Sequence, residues 1–472
     1  MMQRFHFSFF SLFFLFNFAF AQQNHLIQFE GKPIFINGLN VAWNKFGGDV
    51  GNHYMWGSMY DAQWFEELFA QCENHGINCV RLWIHTDGRG NPEFDANGFV
   101  KGVDGDFFAD LDDIFLRAKN HGILIMPCLW SFDMCKDFTG EAGVFAGKHE
   151  ALISDSLKTL SYINKVLIPM VKRYSEHCNL FAWEIINEPE WAISRPQDEN
   201  SNWAYTTDVT VELKHMQRFT AMLAAAIHKN SNKMVTTGCA ALRWSSNVAP
   251  AVGNWYGDKE LQNVYADSNA YLNFYQIHYY DYMHSANADP FDTNYSYEYW
   301  KMDKPCLIGE QPGNLNRDSI YSNSEKINNA FKNHYAGHMF WSYNGYDGIG
   351  SFKDFKNECK VFANENKELV QPFIPCKTMS ASNLQFKIQY NAAKKRNELK
   401  WRAENPKTLV YFDLEKSEDG IHFILLQRFP ANENGDEYYF YNDKSNAACK
   451  YRLKYKDSSG FEAVSQIYFS EN

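Results

Sequence analysis

The sequence predicts an α/β fold, a (β/α)8 TIM barrel followed by an antiparallel β-sandwich, and three observations support this prediction. Between Ile34 and about Phe362, short apolar segments alternate with longer amphipathic segments, as expected for parallel strands joined by crossover helices. Gly76 and Gly122 stand where a helical pattern stops and an apolar strand pattern starts. After Pro375 only short alternating strand patterns follow. An open, doubly wound sheet is the alternative to the barrel.

Eight repeats of the alternating pattern fit a closed barrel with loop insertions, because such barrels have roughly 200 to 400 residues. The strand candidates are Ile34–Trp43, Cys79–His85, Ile123–Trp130, Leu180–Asn187, Met234–Cys239, Phe274–Tyr280, Pro305–Glu310 and His338–Tyr343. The helix candidates are Ala62–His75, Phe107–His121, Ser154–Tyr174, Val209–Lys229 and Glu325–Tyr335. The segment Trp255–Ala270 lacks a clean period, and we expect it to form a long, partly irregular loop.

The C-terminal region is predicted to be a separate all-β domain. Turn signals such as Asp419-Gly420 separate its strand candidates at short intervals. These candidates are Leu384–Gln389, Leu399–Arg402, Val410–Lys416, Phe423–Arg428, Glu437–Tyr441, Cys449–Tyr455 and Ala463–Phe469. We therefore predict a barrel domain over residues 22–370 and an antiparallel sandwich over residues 376–472.

Length, charge and composition narrow the functional class. A chain of 472 residues exceeds what one hydrophobic core usually serves, in agreement with two domains. The formal net charge of −11 offers no positive surface to a polyanion, so we do not expect nucleic acid as a partner. Aromatic residues make up 17% of the chain, and those outside the core can stack on sugar rings and hydrogen-bond their hydroxyls.

The N-terminus has the pattern of a secretory signal peptide. Arg4 precedes an apolar run from Phe5 to Phe20, and Ala19-Phe20-Ala21 resembles a cleavage site. We expect residues 1–21 to be removed and the protein to be secreted, with an uncleaved N-terminal anchor as the alternative. No later apolar run is long enough to span a membrane, so the mature chain is expected to have no membrane span. We also expect it to be a monomer.

The 10 cysteines lie far apart, which is typical of a few disulfides in an oxidising compartment rather than of a small disulfide-stapled scaffold. The pairs Cys128 with Cys135 and Cys359 with Cys376 are plausible, although the sequence does not determine the connectivity.

Two patterns that could indicate a bound metal or cofactor are better explained otherwise. Cys72, His75 and Cys79 have ligand-like spacing, but Gly76 is predicted to end the helix before Cys79, and no fourth ligand stands out. The glycine-rich string 345–350 lacks the strand–loop–helix context of a dinucleotide site. We therefore expect no metal and no cofactor.

Ionisable side chains follow several of the predicted strands, where the active sites of parallel barrels lie. Glu188 ends the fourth strand, next to Pro189, and Glu310 ends the seventh. Two carboxyl groups at one barrel mouth suit cleavage of a glycosidic bond, in which one protonates the leaving oxygen and the other attacks or activates water. A single Glu after a strand more often caps a loop, but Arg81 and His278 at matching strand ends favour a site.

These motifs resemble glycoside hydrolase family 5, in the clan of retaining barrels. The resemblance covers Phe35 to about Phe362. It depends on Asn187-Glu188-Pro189 at the fourth strand, Arg81 at the second, His278-x-Tyr280 at the sixth, Glu310 at the seventh and Trp341 at the eighth.

The resemblance implies a role for each of these residues. Glu188 would be the general acid/base and Glu310 the nucleophile, held ionised by Arg81 and Tyr280. The remaining implied substrate-site residues are Asn187 on the sugar 2-hydroxyl, His278 orienting the catalytic pair, and Trp341 as the floor beneath the sugar under attack. Trp341 could instead be an ordinary core residue.

One departure from the family pattern concerns the third strand. Many members carry a His at its end, whereas this chain reads Cys128 to Asp133, and Trp130 could take over the substrate contact there.

Two further stretches, Gly38–Asn44 and Trp83–Gly90, look most like the endo-β-1,4-mannanases of the family. They add Trp43 and His85 to the implied substrate-binding residues, and mannan or glucomannan to the implied substrates. An endo-β-1,4-glucanase, a non-catalytic glycan-binding barrel and a transglycosylase remain alternatives.

The C-terminal sandwich is similar to the fibronectin type III-like modules of secreted bacterial enzymes. It could bind polysaccharide, act as a spacer or serve export. We favour a spacer, because Trp401 is its only obvious stacking platform.

Overall fold

The fold was analysed in a computed structural model of the chain. It describes residues 25–53, 56–138, 146–194, 207–281, 284, 289–315, 320–371, 384–403, 409–418, 423–431, 439–444, 449–457, 462–465 and 468–469. The predicted signal peptide, residues 1–21, lies outside these ranges, as do turn signals such as Asp419-Gly420. The chain divides into two compact units, one of residues 1–110 and 121–374 and the other of residues 111–120 and 375–472.

The first unit contains a closed barrel of eight parallel strands, which confirms the predicted fold class. Each strand pairs with the next along the chain, and the eighth pairs with the first. The strands are β1 (Ile36–Val41), β2 (Cys79–Thr86), β3 (Leu124–Ser131), β4 (Ala182–Asn187), β5 (Met234–Cys239), β6 (Tyr275–His278), β7 (Cys306–Pro312) and β8 (Gly337–Trp341). All eight predicted strands are therefore found within a few residues of their expected bounds.

Helices follow the strands. They are α1 (Ala62–Asn74), α2 (Phe107–Asn120), α3 (Glu150–Ser154), α4 (Ser156–Tyr162), α5 (Ile168–Tyr174), α6 (Leu213–Asn230), α7 (Asp258–Val264), α8 (Asn323–Lys332), α9 (Phe352–Glu365) and α10 (Lys367–Val370). The helix predicted over Ser154–Tyr174 is found from Ser156 to Tyr174, and it begins where the Asp155 side chain accepts a hydrogen bond from the Leu157 backbone N–H. A π-helical turn, Ile163–Leu167, joins α4 to α5. The segment predicted as an irregular loop, Trp255–Ala270, contains α7.

Helix α1 shows how local sequence sets these boundaries. Asp61 caps it by accepting a hydrogen bond from the Trp64 backbone N–H at 3.0 Å. Its buried residues, Phe65, Leu68, Phe69 and Cys72, recur at helical spacing and form one stripe. Gly76 then adopts a φ of +70°, which a residue with a side chain rarely accepts, and the chain turns toward β2.

The N-terminal ends of the barrel strands enclose an apolar cluster. It consists of Ile27, Phe29, Ile34, Ile36, Cys79, Leu124, Met126, Phe181, Ala182, Phe274, Leu307, Ala336 and Met339, all buried. Ile27 and Phe29 belong to a short antiparallel pair that precedes β1. Because this end is filled by apolar side chains, the polar residues of the barrel interior are confined to the opposite end.

The second unit contains two antiparallel sheets. Its strands are β9 (Leu384–Asn391), β10 (Arg396–Ala403), β11 (Leu409–Ser417), β12 (Ile424–Pro430), β13 (Tyr439–Asp443), β14 (Lys450–Asp457), β15 (Glu462–Val464) and β16 (Tyr468–Phe469). One sheet has the order β9-β10-β13, and the other has the order β12-β11-β14-β15, with β16 paired to β14. Side chains from both sheets form one core, in which Trp401 is fully buried. Trp401 therefore presents no face on which a sugar could stack.

The cysteines differ from the predicted pairing. Cys128, Cys135 and Cys359 are free, buried thiols, so both predicted disulfide pairs are wrong. Cys178 is disulfide-bonded.

The metal-like triplet on α1 and β2 forms no site. Cys72 and Cys79 are buried free thiols. His75 contacts the Gln71 carbonyl oxygen through Nδ1 at 2.8 Å, and its ring packs edge-on against Phe352.

Among the described residues, no helix is long and apolar enough to cross a membrane.

Candidate active site

The carboxyl ends of β4 and β7 bring two glutamates together. One carboxylate oxygen of Glu188, one of Glu310 and one ring nitrogen of His278 all lie within 4.8 Å of one another. Carboxyl groups about 5 to 5.5 Å apart are typical of retaining glycosidases, whereas inverting enzymes separate them by about 6.5 to 9.5 Å to admit a water molecule. The short spacing therefore favours direct attack by one carboxylate.

The backbone at Glu188 leaves the strand abruptly. Glu188 has φ +46° and ψ +50°, a left-handed conformation that is uncommon for a residue with a side chain. Its N–H donates to the Gly238 carbonyl oxygen on β5 at 2.7 Å, and Pro189 starts a 3-10 helix, Pro189–Ala192. This turn displays the Glu188 carboxyl group at the barrel mouth, as Pro189 predicts.

All five N–H groups of Arg81 are used inside the barrel. Its Nε and one Nη bind the two oxygens of Glu184, both at 2.6 Å. The other three N–H groups donate to the side-chain oxygens of Asn40 at 2.8 Å, Glu310 at 2.7 Å and Asn187 at 2.7 Å. Because Arg81 is fully buried and its donors are saturated, it fixes the positions of these four side chains together.

Glu310 is held by a cation and a phenol. Arg81 donates to Oε1, the Tyr280 hydroxyl donates to Oε2 at 2.7 Å, and His278 Nδ1 lies 3.5 Å from Oε2. The pKa of Glu310 lies above its ordinary value because the carboxyl group is buried, and the charge of Arg81 and the Tyr280 hydrogen bond limit the rise. These donors stabilise the charged form of Glu310, which is the form a nucleophile needs.

Among the described residues, no Arg or Lys side chain contacts Glu188. The indole N–H of Trp191 donates to Oε2, and His278 Nδ1 contacts Oε1, both at 2.9 Å. Burial raises the pKa of Glu188 to about 7. Burial also lowers the pKa of His278 to about 4, so the imidazole is neutral near pH 7 and does not compensate for a charge on Glu188. Of the two carboxyl groups, Glu188 is therefore the one that keeps a proton.

Two glycines leave room for polar side chains below the catalytic pair. A methyl group at Gly238 would lie 2.4 Å from Glu184 Oε1 and 2.8 Å from Gln276 Nε2. A methyl group at Gly309 would lie 2.5 Å from Gln276 Cγ. Glu184 and Gln276 thus occupy interior space that β5 and β7 leave open by lacking side chains.

We predict that Gly238→Ala destabilises the protein by about 1–3 kcal/mol, because the methyl group overpacks this polar layer. Urea unfolding followed by tryptophan fluorescence measures the change. Gly105→Ala is the matched control, since a methyl group there has no atom within 4 Å and no strained backbone to oppose it. Equal stability of the Gly238→Ala and Gly105→Ala variants would contradict the prediction.

Glu188 and Glu310 line a cleft of about 770 Å³. It is lined by Trp43, Phe46, Trp83, Arg89, Phe132, Asp133, Phe138, Asn187, Glu188, Tyr280, Asp281, Glu310, Pro312, Trp341 and Ile349. Six of the residues implied by the resemblance line the cleft, namely Trp43, Asn187, Glu188, Tyr280, Glu310 and Trp341. Arg81 and His278 lie behind the wall and contact the catalytic glutamates from there.

An aromatic cluster forms one side of the cleft. The rings of Trp43, Trp83 and Trp341 lie 5.8–5.9 Å from one another, centre to centre. The Trp341 indole N–H donates to the Asp347 carboxylate at 2.6 Å, which fixes the plane of the ring. Asp347 belongs to the glycine-rich segment 345–350, which follows β8 as a loop.

The structure does not bring Trp130 and His85 to the cleft, so the substrate contact that was implied for these two residues is wrong. The pairing of β2 with β3 shifts register between Trp83 and Thr86. Beyond this shift, the rings of Trp130 and His85 both lie 5.5 Å from the Tyr162 ring on α4, and both residues are fully buried. Ser131 and Asp133 instead occupy the end of β3 nearest Asn187 and the cleft.

Several cleft residues were missed in the sequence. Trp83 lies two residues after Arg81 on β2, and the two-residue period of a strand could have identified it. Arg89 could not be found this way, because its position depends on contacts between loops. Its guanidinium binds Asp87 through Nε and one Nη and lies over the rings of Phe46 and Phe138, at 4.5 and 5.4 Å.

The spacing of Glu188, His278 and Glu310 is also short enough for a metal ion. Both oxygens of Glu310, however, already accept hydrogen bonds from Arg81 and Tyr280. A cation bound there would also lie close to the buried guanidinium and be repelled by it. We therefore interpret Glu188 and Glu310 as candidate acid–base and nucleophilic groups, and His278 as the side chain that contacts and orients both.

No protein-family model matches the chain. A mannan endo-1,4-β-mannosidase of Mytilus edulis is 30% identical over 333 residues, which are 67% of this chain and 85% of that protein. The solved β-mannanase of Mytilus edulis superposes with a TM-score of 0.65 at 27% identity, covering 74% of this chain and 97% of that one. The endo-1,4-β-mannanase of Eisenia fetida gives a TM-score of 0.64 at 27% identity, covering 72% and 93%. The predicted resemblance is thus confirmed, and the chain belongs to the mannan endo-1,4-β-mannosidase family.

Proposed function

We propose that the protein is a retaining endo-hydrolase of β-1,4-linked mannan that acts by double displacement. The observation that carries the proposal is the close pair of Glu188 and Glu310 in the cleft, one neutral and one paired with Arg81. The substrate class rests on the relatives, which are named as mannan endo-1,4-β-mannosidases.

In the first step, the Glu310 carboxylate attacks the anomeric carbon of the bound sugar. Glu188 transfers its proton to the glycosidic oxygen, the bond between the anomeric carbon and that oxygen breaks, and the shortened chain leaves as an alcohol. The sugar stays attached to Glu310 as an ester. Asn187 accepts from Arg81 through Oδ1 and donates to Ser131 Oγ through one amide N–H, which leaves its second N–H for the sugar 2-hydroxyl.

In the second step, Glu188 is a carboxylate and acts as a base. It removes a proton from water, the water oxygen attacks the anomeric carbon, and the ester bond to Glu310 breaks. Two inversions give net retention, and both glutamates return to their starting protonation. A sugar hydroxyl in place of water would give transglycosylation by the same route.

The proposal is tested by reducing-sugar release from unbranched β-mannan, glucomannan and carboxymethyl-cellulose, with and without EDTA, alongside a proton-NMR assay of the first anomer formed. We expect cleavage of mannan that EDTA does not affect, with the β-anomer formed first. Activity only on the cellulose derivative would indicate a glucanase. An α-anomer would exclude double displacement, and no cleavage at all would favour a glycan-binding barrel.

The pH dependence follows from Glu188. Since the acid must be protonated and its pKa is about 7, we expect kcat/KM to fall as the pH rises through about 7. Trp191→Phe removes the N–H that stabilises the Glu188 carboxylate, so the Glu188 pKa should rise and this alkaline limb should move to higher pH. A pH series of kcat/KM measures both effects. An unmoved or lowered limb in Trp191→Phe would contradict the assignment of Glu188 as the acid.

We also propose that the protein is secreted as a monomer and that its C-terminal domain is a fibronectin type III-like spacer. The signal-like residues 1–21 and the disulfide-bonded Cys178 support export to an oxidising compartment. The buried position of Trp401 supports a spacer over a sugar-binding module. Mass spectrometry of the N-terminus after expression with residues 1–21 tests the export signal.

A further inference from the structure

We propose that Glu184 is a positioning residue of the catalytic pair, which orients Arg81 and supplies the negative charge that keeps the proton on Glu188. The inference rests on the function proposed above and deepens it. Glu184 lies inside β4, does not line the cleft and has no position from which to contact a substrate.

The geometric part follows from the guanidinium plane. Both oxygens of Glu184 bind one edge of Arg81 at 2.6 Å, and both side chains are fully buried. Fixing one edge of a rigid planar group fixes the directions of its remaining N–H bonds. These point at Asn40, Glu310 and Asn187, so the orientation of the nucleophile depends on Glu184.

The same contact sets the amide of Asn187. Because Asn187 Oδ1 accepts from Arg81, its Nδ2 faces the opposite way, toward Ser131 Oγ at 3.5 Å. The amide therefore offers N–H groups, and not its oxygen, to the cleft. Glu184 thus acts through Arg81 on both the nucleophile and the proposed contact to the 2-hydroxyl.

The proposed effect of Glu184 on the proton of Glu188 follows from the number of charges in the barrel interior. Burial acts to raise the pKa of Glu184, but the charge and hydrogen bonds of Arg81 outweigh it, and the pKa lies below its ordinary value. Glu184 is therefore ionised and neutralises Arg81. Glu310 is then the second anion of the cluster, and a third on Glu188 would lack a cation to balance it.

The other ionisable groups around Glu184 carry no charge near pH 7. The Cys128 thiol on β3 donates to Glu184 Oε1 at 3.3 Å, and burial raises its pKa far above the ordinary value. His278 on β6 is neutral because burial lowers its pKa to about 4. Gln276 on β6 and Gly238 on β5 complete the surroundings and do not ionise.

The charged groups around Glu188 would do little to balance a negative charge on its carboxylate. Asp133 and Lys136 form an ion pair at 2.9 Å, so their charges largely cancel. Glu190 lies two residues away, and burial raises its pKa to about 7, as it does for Glu188. Besides Lys136, Arg81 is the described cation that lowers the pKa of Glu188, and it is already shared between Glu184 and Glu310.

The test compares the pH profiles of kcat/KM for Glu184→Gln and Glu184→Asp. Glu184→Gln keeps the shape and removes the charge, so Arg81 gains influence over Glu188 and lowers its pKa. We expect its alkaline limb to move down by about one pH unit. Glu184→Asp keeps the charge but shortens the side chain, so kcat/KM should fall while the limb stays in place. An unmoved limb in Glu184→Gln that is folded by circular dichroism, or an unchanged kcat/KM in Glu184→Asp, would overturn the proposal.

A measurement on the unaltered protein covers the case in which Glu184→Gln does not fold. In a carbon-13 NMR titration of labelled glutamate carboxyl groups, Glu184 should stay ionised across the pH range of activity while Glu188 titrates near 7. A Glu184 that titrates within this range would overturn the proposal. The titration needs no substrate. If the protein cleaves none of the polysaccharides, the proposed function is wrong, but the titration still tests the charge of Glu184.

Discussion

Glu310→Ala is expected to reduce mannan hydrolysis by about 10⁴-fold or more, because it removes the nucleophile itself. Loss of activity alone would not identify the role of the residue. Azide should partly rescue this variant on a substrate with an activated leaving group, by attacking the anomeric carbon directly from the face that Glu310 occupied. The product is then the α-glycosyl azide, formed with one inversion.

Glu188→Ala is the matched control for that experiment. It retains Glu310, so the covalent intermediate still forms from an activated substrate, and azide attacks it from the opposite face. The expected product is the β-glycosyl azide. Identical anomers from the two variants would contradict the assignment of Glu310 as nucleophile and Glu188 as acid/base.

Arg81→Met is expected to cost about 3–5 kcal/mol of unfolding free energy, because it leaves the buried charge of Glu184 without a partner. Activity should fall by about 10²-fold or more, since Glu310 loses the donor that stabilises its charged form. Urea unfolding and kcat/KM on mannan measure the two losses.

The double variant Arg81→Met with Glu184→Leu separates stability from catalysis. Replacing both members of a buried ion pair by apolar side chains is often neutral or stabilising. We expect the double variant to regain most of the lost stability and none of the lost activity. Recovery of activity together with stability would show that Arg81 has only a structural role.

The meeting of Glu188 and Glu310 in one cleft could be predicted from the sequence because both glutamates follow clearly apolar strands. In a parallel barrel, such positions converge on one mouth, and Pro189 marks the end of β4 directly. Strand periodicity also points Arg81 and Trp83 toward the same side of β2.

The predictions that were wrong concern contacts between distant parts of the chain, which a single sequence does not show. Trp130 and His85 were predicted to line the cleft, but both rings pack against Tyr162 on α4, next to a register shift between β2 and β3 that strand periodicity does not reveal. The positioning role proposed for Glu184 could not be predicted from the sequence. It depends on the ion pair with Arg81, which lies about a hundred residues earlier in the chain. The cysteine pairs failed for a similar reason, since proximity along the chain does not bring two thiols together in space.

The hydrogen bond between Trp341 and Asp347 ties the loop after β8 to the wall of the cleft. An exchange of this loop for that of a related enzyme would be a natural step in redesigning the cleft. Such a graft would also release the indole that is expected to lie under the reacting sugar, unless the new loop carries an acceptor at the same place. Loop exchange in this protein should therefore be planned with the ring of Trp341 as part of the transplanted unit.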